Sequence, residues 1–116
     1  MGHYDDVAKD LRQPTRELRA AIPDTWGAFA GLHGAAMDDG ELPRSTKEVI
    51  ALTIAAVKRC DGCISYHARA AAKAGATRGA VAEALGVALL MDGGTASVYG
   101  PRALAAFDEF ADATSG

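Results

Sequence analysis

Large aromatic side chains are scarce in this chain: one Trp, three Tyr and three Phe make up 6% of its 116 residues. A core built from big rings is therefore excluded, although 49% of the residues are hydrophobic. No segment alternates cleanly between apolar and polar residues, and the β-branched residues are scattered, so strands are not expected. No block of Lys and Arg is present and the formal net charge is -3. That composition offers no surface for nucleic acid or an anionic membrane. No apolar run is long enough to span a bilayer; the uncharged run Val49 to Val57 is far too short. The polar opening, Met1 to Asp6, lacks the pattern of a signal peptide, so a cytoplasmic location is the expectation. Only two cysteines occur, too few for a disulfide framework. In a reducing compartment a close cysteine pair is more often redox-active or metal-binding than a structural staple.

What is abundant is alanine, with 26 copies. Alanine is the best helix former, and its small side chain lets helices approach closely. The chain reads as all-α, one domain of about six helices. A short helix over Asp6 to Leu11 is expected to stop at Pro14, with a second piece from Arg16 to Ile22. Trp26, Phe29, Ala30, His33 and Met37 follow at helical spacing and read as a core stripe, with His33 as a partly buried member. Ser45-Thr-Lys-Glu48 has the spacing of a capping box, so a helix is expected to start there, buried on most sides, and to run to about Arg59. Gly75 suits the end of the next helix, and Thr77 the cap of the one after. Val81, Leu85, Ala88 and Leu89 form its apolar face. Asp92-Gly-Gly94 ends it, and a last helix over Ala96 to about Ala113 carries Tyr99, Ala103, Ala106 and Phe110 on one side. Too few large side chains exist to close a core of this many helices. The small-residue faces Ala80 to Leu90 and Ala96 to Ala106 therefore point to a homo-oligomer.

The chemistry concentrates at Cys60-Asp-Gly-Cys63-Ile-Ser-Tyr-His67. On a helix Cys60 and Cys63 are i, i+3 neighbours, and Cys63 and His67 are i, i+4 neighbours, so all three share a stripe. A helix N-terminus and a nearby imidazole both favour thiolate, the nucleophilic form, while Asp61 opposes it. Three readings compete: small buried residues, a zinc site needing His67 with His33 or His3, and a redox dithiol that closes a disulfide. Glu48 is the second notable residue. If the helices on either side of Cys60 run antiparallel, Glu48 and His67 come within a side chain and a water of each other. A carboxylate that orients an imidazole, which serves a nucleophile, is a general activation pattern. The bland reading of Glu48 is a cap.

On Glu48 followed by Cys60-x-x-Cys63-x-x-x-His67, the sequence resembles the carboxymuconolactone decarboxylase superfamily and its alkylhydroperoxidase D-like branch. The resemblance continues through Lys73 to Thr77, Ala82 to Leu85, and Gly93-Gly94 to Tyr99-Gly-Pro-Arg102. It places N-terminal helices in 1–41, the family core in 42–106, and the end of the last helix and tail in 107–116. It implies an all-helical fold assembled as a homotrimer or homohexamer, and reduction of organic hydroperoxides through the dithiol. By position, Cys63 would attack the peroxide and Cys60 would resolve the product. Glu48 and His67 would relay protons through a water. No metal or organic cofactor is implied; a hydroperoxide and a dithiol reductant are the implied partners. A thiol-disulfide relay that never meets peroxide is the alternative, and a non-catalytic or metal-binding helical module the competing class. The chain departs from the branch at Gly62, where some members carry a histidine, and at Arg78-Gly79, where acidic residues are common.

Overall fold

The computed structural model describes residues 2–115, with side chains from 2 to 113. Six α-helices follow one another: α1 His3–Ala21, α2 Pro23–Met37, α3 Arg44–Lys58, α4 Asp61–Lys73, α5 Arg78–Asp92 and α6 Ala96–Ser115. A 3-10 turn, Gly93–Thr95, joins the last two, and the described residues contain no strand. The core lies where α3, α4 and α6 meet, with α5 and the start of α1 closing it. Leu52, Ile64, Ala68, Ala71, Ala103 and Ala106 are fully buried there. Four of these six are alanines, so the helix backbones approach closely and little volume remains to be filled.

Local capping chemistry explains most helix ends. Gly75, at φ +86°, follows Ala74. Its N–H donates to Ala72 O and that of Ala76 to Ala71 O, the paired bonds of a Schellman turn. The Thr77 hydroxyl accepts from the N–H of Ala80. Arg78 at the start of α5 forks onto Asp108 of α6 at 2.8 and 3.2 Å, so the two helices form a hairpin. Within Arg78–Ala113 an 18-residue window has a mean hydropathy of 1.3, long and apolar enough to cross a membrane by length and composition alone. The turn at Gly93–Thr95 instead folds that segment into two helices packed on each other.

Four expectations fail in the folded chain. Pro14 does not interrupt the first helix; it lies inside α1. A mid-helix proline costs about 3 kcal/mol in isolation. Residues around Pro14 are exposed, so the freed carbonyl of Asp10 can turn to water, and docking holds the N-terminal half. Glu109 of α6 accepts the N–H groups of Tyr4 (3.4 Å) and Asp5 (2.7 Å), Ser65 donates to Tyr4 O, and Arg69 pairs with Asp5 at 3.1 Å. Ser45 is not a cap. The helix starts one residue earlier, with Pro43 at the N-cap, and the N–H of Arg44 donates to Asp39 at 2.6 Å. The Trp26 stripe is not core: no residue of α2 is buried, and Phe29 is 58% exposed. Periodicity marks an apolar face but does not say what covers it. For the same reason α3 is buried on one face only, with Ile50 and Ile54 facing out.

Candidate active site

The site forms where α3 hands over to α4. Arg59, the one non-glycine residue with positive φ among those described (56°), turns the chain. The N–H groups of Arg59 and Cys60 donate back to Ala56 O and Ala55 O, which sends α4 back along α3. Cys60 is therefore the N-cap of α4 rather than part of the helix, which modifies the expected stripe. The N–H of Cys63 donates to Cys60 Sγ at 3.2 Å. The two cysteines form a disulfide, with Cα atoms 5.2 Å apart. Cys63 is exposed and Cys60 half-buried. A sulfur at a helix N-terminus with an N–H aimed at it is stabilised as thiolate once the bond is reduced. That effect acts on Cys60.

One turn beyond Cys63, His67 Nδ1 lies 2.8 Å from Glu48 Oε1. The contact is direct; the water expected between them is not needed, because α3 and α4 pack closely enough for the side chains to meet. Glu48 is 1% exposed among apolar neighbours such as Val49 and Leu52. A carboxylate there is costly without a partner, and His67 supplies one. With Glu48 ionised, the shared proton sits on Nδ1 and leaves Nε2 as a bare acceptor. In the disulfide state His67 makes no hydrogen bond to either sulfur among the described residues. The structure thus pairs the four residues singled out in the sequence two by two: Cys60 with Cys63, and Glu48 with His67.

Sequence reasoning underrated His33. Its ring stacks on His67 with centroids 6.3 Å apart and meets Tyr66 edge-on at 5.5 Å; Tyr66 in turn meets His67 at 5.0 Å. His33 Nε2 is buried without a hydrogen-bond partner among the described residues. Helical spacing grouped His33 with Trp26 and Phe29, and only the placement of α2 brings it to His67. His3 instead packs edge-on against Tyr4. Among the described residues, no three His, Cys, Asp or Glu side chains cluster as metal ligands. A Cβ at Gly62 would fall 2.9 Å from Leu11 Cδ1, the end of an exposed side chain that can move aside, so packing does not by itself demand glycine there. Tyr4 reaches the same loop, its hydroxyl 3.5 Å from Asp61. Burial, with Asp61 next in weight, holds the Tyr4 phenol above its ordinary range.

The fold is all-helical and carries a Cys-x-x-Cys disulfide beside a Glu–His pair, and comparison with known proteins gives the family. Residues 23–112 match the carboxymuconolactone decarboxylase family, to which the chain belongs. An uncharacterized protein of Cupriavidus necator is 42% identical over 106 residues, covering 89% of this chain and 94% of that one. An uncharacterized protein from the cox locus of Paracoccus denitrificans is 38% identical over 95 residues, covering 82% and 83%. Among solved structures, an apo carboxymuconolactone decarboxylase family protein of Legionella pneumophila superposes with a TM-score of 0.90 at 38% identity, covering 93% of this chain and 96% of that one. A Thermotoga maritima member of the family, for which a part in the antioxidative response has been suggested, gives 0.75 at 28% identity, covering 91% and 93%.

Proposed function

We propose that the chain is a thiol peroxidase of the alkylhydroperoxidase type that reduces organic hydroperoxides at Cys63. The observation that carries this reading is the buried Glu48 hydrogen-bonded to His67, one helical turn from a cysteine that forms a disulfide with its neighbour. In the reduced protein, His67 Nε2 takes the Cys63 thiol proton. The thiolate attacks the terminal peroxide oxygen; an S–O bond forms and the O–O bond breaks. The imidazolium returns its proton to the departing alkoxide, giving the alcohol and a Cys63 sulfenic acid. Cys60 then attacks the Cys63 sulfur, hydroxide leaves and takes the Cys60 proton as water, and the disulfide closes. A dithiol reopens it by attack on the exposed Cys63 sulfur. Cys60 departs as a thiolate held at the N-terminus of α4, which makes it the better leaving group. The second donor thiol releases Cys63. Overall one hydroperoxide and one dithiol give one alcohol, one water and one disulfide.

The reading includes a homo-oligomer, a trimer or hexamer as family resemblance suggests, because α2 buries none of its apolar residues within the chain. The exposure of Cys63 equally favours a second reading, a thiol-disulfide relay without a peroxide. The deciding experiment uses Cys60→Ser. Peroxide should leave a trappable sulfenic acid on Cys63, and Cys63→Ser should abolish turnover. A Cys60→Ser protein that forms mixed disulfides with thiol donors but never a sulfenic acid would leave the relay as the activity.

A further inference from the structure

A groove of about 570 Å³ lies in the angle between α1 and α4, with Gly62, which stands between the two cysteines, in its wall. That volume lies within the range of roughly 300–1,000 Å³ typical of small-molecule sites. Arg12, Arg16 and Arg19 of α1 and Arg69 and Lys73 of α4 line it, and no acidic residue does. Five of the twelve Lys and Arg of a chain with net charge -3 therefore face one groove.

Four of these five cations make no ion pair among the described residues. Arg69 alone has a carboxylate partner, Asp5 at 3.1 Å, and it lies over the Phe110 ring at 4.8 Å, so it is held in place. Arg16 has only the amide oxygen of Gln13 at 3.5 Å, and Arg12, Arg19 and Lys73 have no acidic partner among the described residues. Like charges gathered around a concave surface raise the local potential and draw in anions. Between the cations the wall is apolar, formed by Leu11, Ala70 and the ring of Tyr66. Cys63 follows Gly62 directly, one step round α4 from the groove.

We propose that this groove binds the substrate, an amphipathic organic acid whose carboxylate meets the arginines and whose apolar body lies on Leu11, Ala70 and Tyr66. Resting on the peroxidase reading above, this makes the preferred oxidant a hydroperoxide that carries a carboxylate, such as a fatty-acid hydroperoxide. The carboxylate takes no part in the electron transfer; it places the peroxide beside Cys63, and so acts mainly on KM.

The test compares linoleic acid hydroperoxide with its methyl ester, the same molecule without the charge, on the full chain. The acid should show kcat/KM about tenfold higher, as expected from two or three partly exposed ion pairs. The ratio should fall toward one in Arg12→Gln/Arg16→Gln and at high salt. Calorimetric titration with decanoate, which cannot be reduced, reads the groove without turnover; binding should occur and be lost in the double variant. Equal kcat/KM for acid and ester with no decanoate binding overturns the groove proposal and leaves the peroxidase reading intact. Arginine-dependent decanoate binding with neither hydroperoxide reduced upholds the groove and removes the peroxidase. A double variant that keeps its circular dichroism but drops to a smaller mass by light scattering, from a parent that binds no decanoate, makes the groove a seat for a second copy and overturns the proposal.

Discussion

Glu48 places a carboxylate in an interior of small apolar side chains, and among the described residues its one hydrogen-bond partner is His67. A cap and a relay make different demands on it. A relay needs charge, which glutamine lacks, although glutamine still accepts a hydrogen bond from Nδ1. Glu48→Gln should therefore melt close to the parent temperature and lose at least about tenfold in peroxide turnover, about 1.4 kcal/mol of barrier. Normal turnover would remove the relay. Ser45 provides the contrast. Because Asp39 and not Ser45 serves the first turn of α3, Ser45→Ala should change stability by no more than about 0.5 kcal/mol and leave the rate alone. Spacing made Cys60, Cys63 and His67 legible in the sequence, since all three lie within eight consecutive residues. His33 entered the sequence reading beside His67 only as one of two candidate zinc ligands; its ring contact with His67 was not legible, because it crosses from a helix that periodicity treats by itself.

At the scale of elements, the α3–α4 turn and the docking of α1 make separate forecasts. Arg59 holds a left-handed conformation that costs a residue with a Cβ roughly 1–2 kcal/mol. Glycine removes that cost but loses more entropy on folding, so Arg59→Gly should stabilise by about 0.5–1 kcal/mol in chemical denaturation. A lower midpoint would mean that the arginine side chain makes up for its backbone. In α1, the hydrogen bond from Lys9 and then the charges of Lys9 and Arg69 hold the Asp5 carboxyl below its ordinary value, against the effect of burial. A carboxyl lowered by folding adds stability above its unfolded pKa, near 3.9, and loses it as pH falls through the lower folded value. Melting temperature should thus drop below about pH 4, and Asp5→Asn should flatten that acid limb. An unchanged limb would mean that another carboxylate sets it.

For the whole molecule, the exposed apolar surface is the largest unspent feature. Leu90 and Met91 are 80% and 79% exposed at the end of α5, with Val98 beyond the turn, and Phe29 and Leu32 stand out from α2. Surfaces of this kind mark association sites. Light scattering at micromolar concentration should return a trimer or hexamer, and Leu90→Glu/Met91→Glu should lower that mass if α5 is part of the contact. A monomeric parent would withdraw the oligomer.

The sequence by itself determined what depends on residues close along the chain. Alanine content and the 3.6-residue period set an all-helical fold. Thr77 and Gly75 set helix ends, because a cap needs only the adjacent turn. Cys-x-x-Cys set a bond that one turn of backbone can close. The tertiary structure decided whatever required a distant partner. Pro14 stays helical because α4 and α6 hold the N-terminal half of α1. Glu48 meets His67 without a water because alanine-lined helices pack closely. Arg12, Arg16 and Arg19 share a helical face that the sequence contains, yet they line a groove only because α4 brings Arg69 and Lys73 opposite them. Local geometry fixes which side chains share a face; only packing fixes what that face meets.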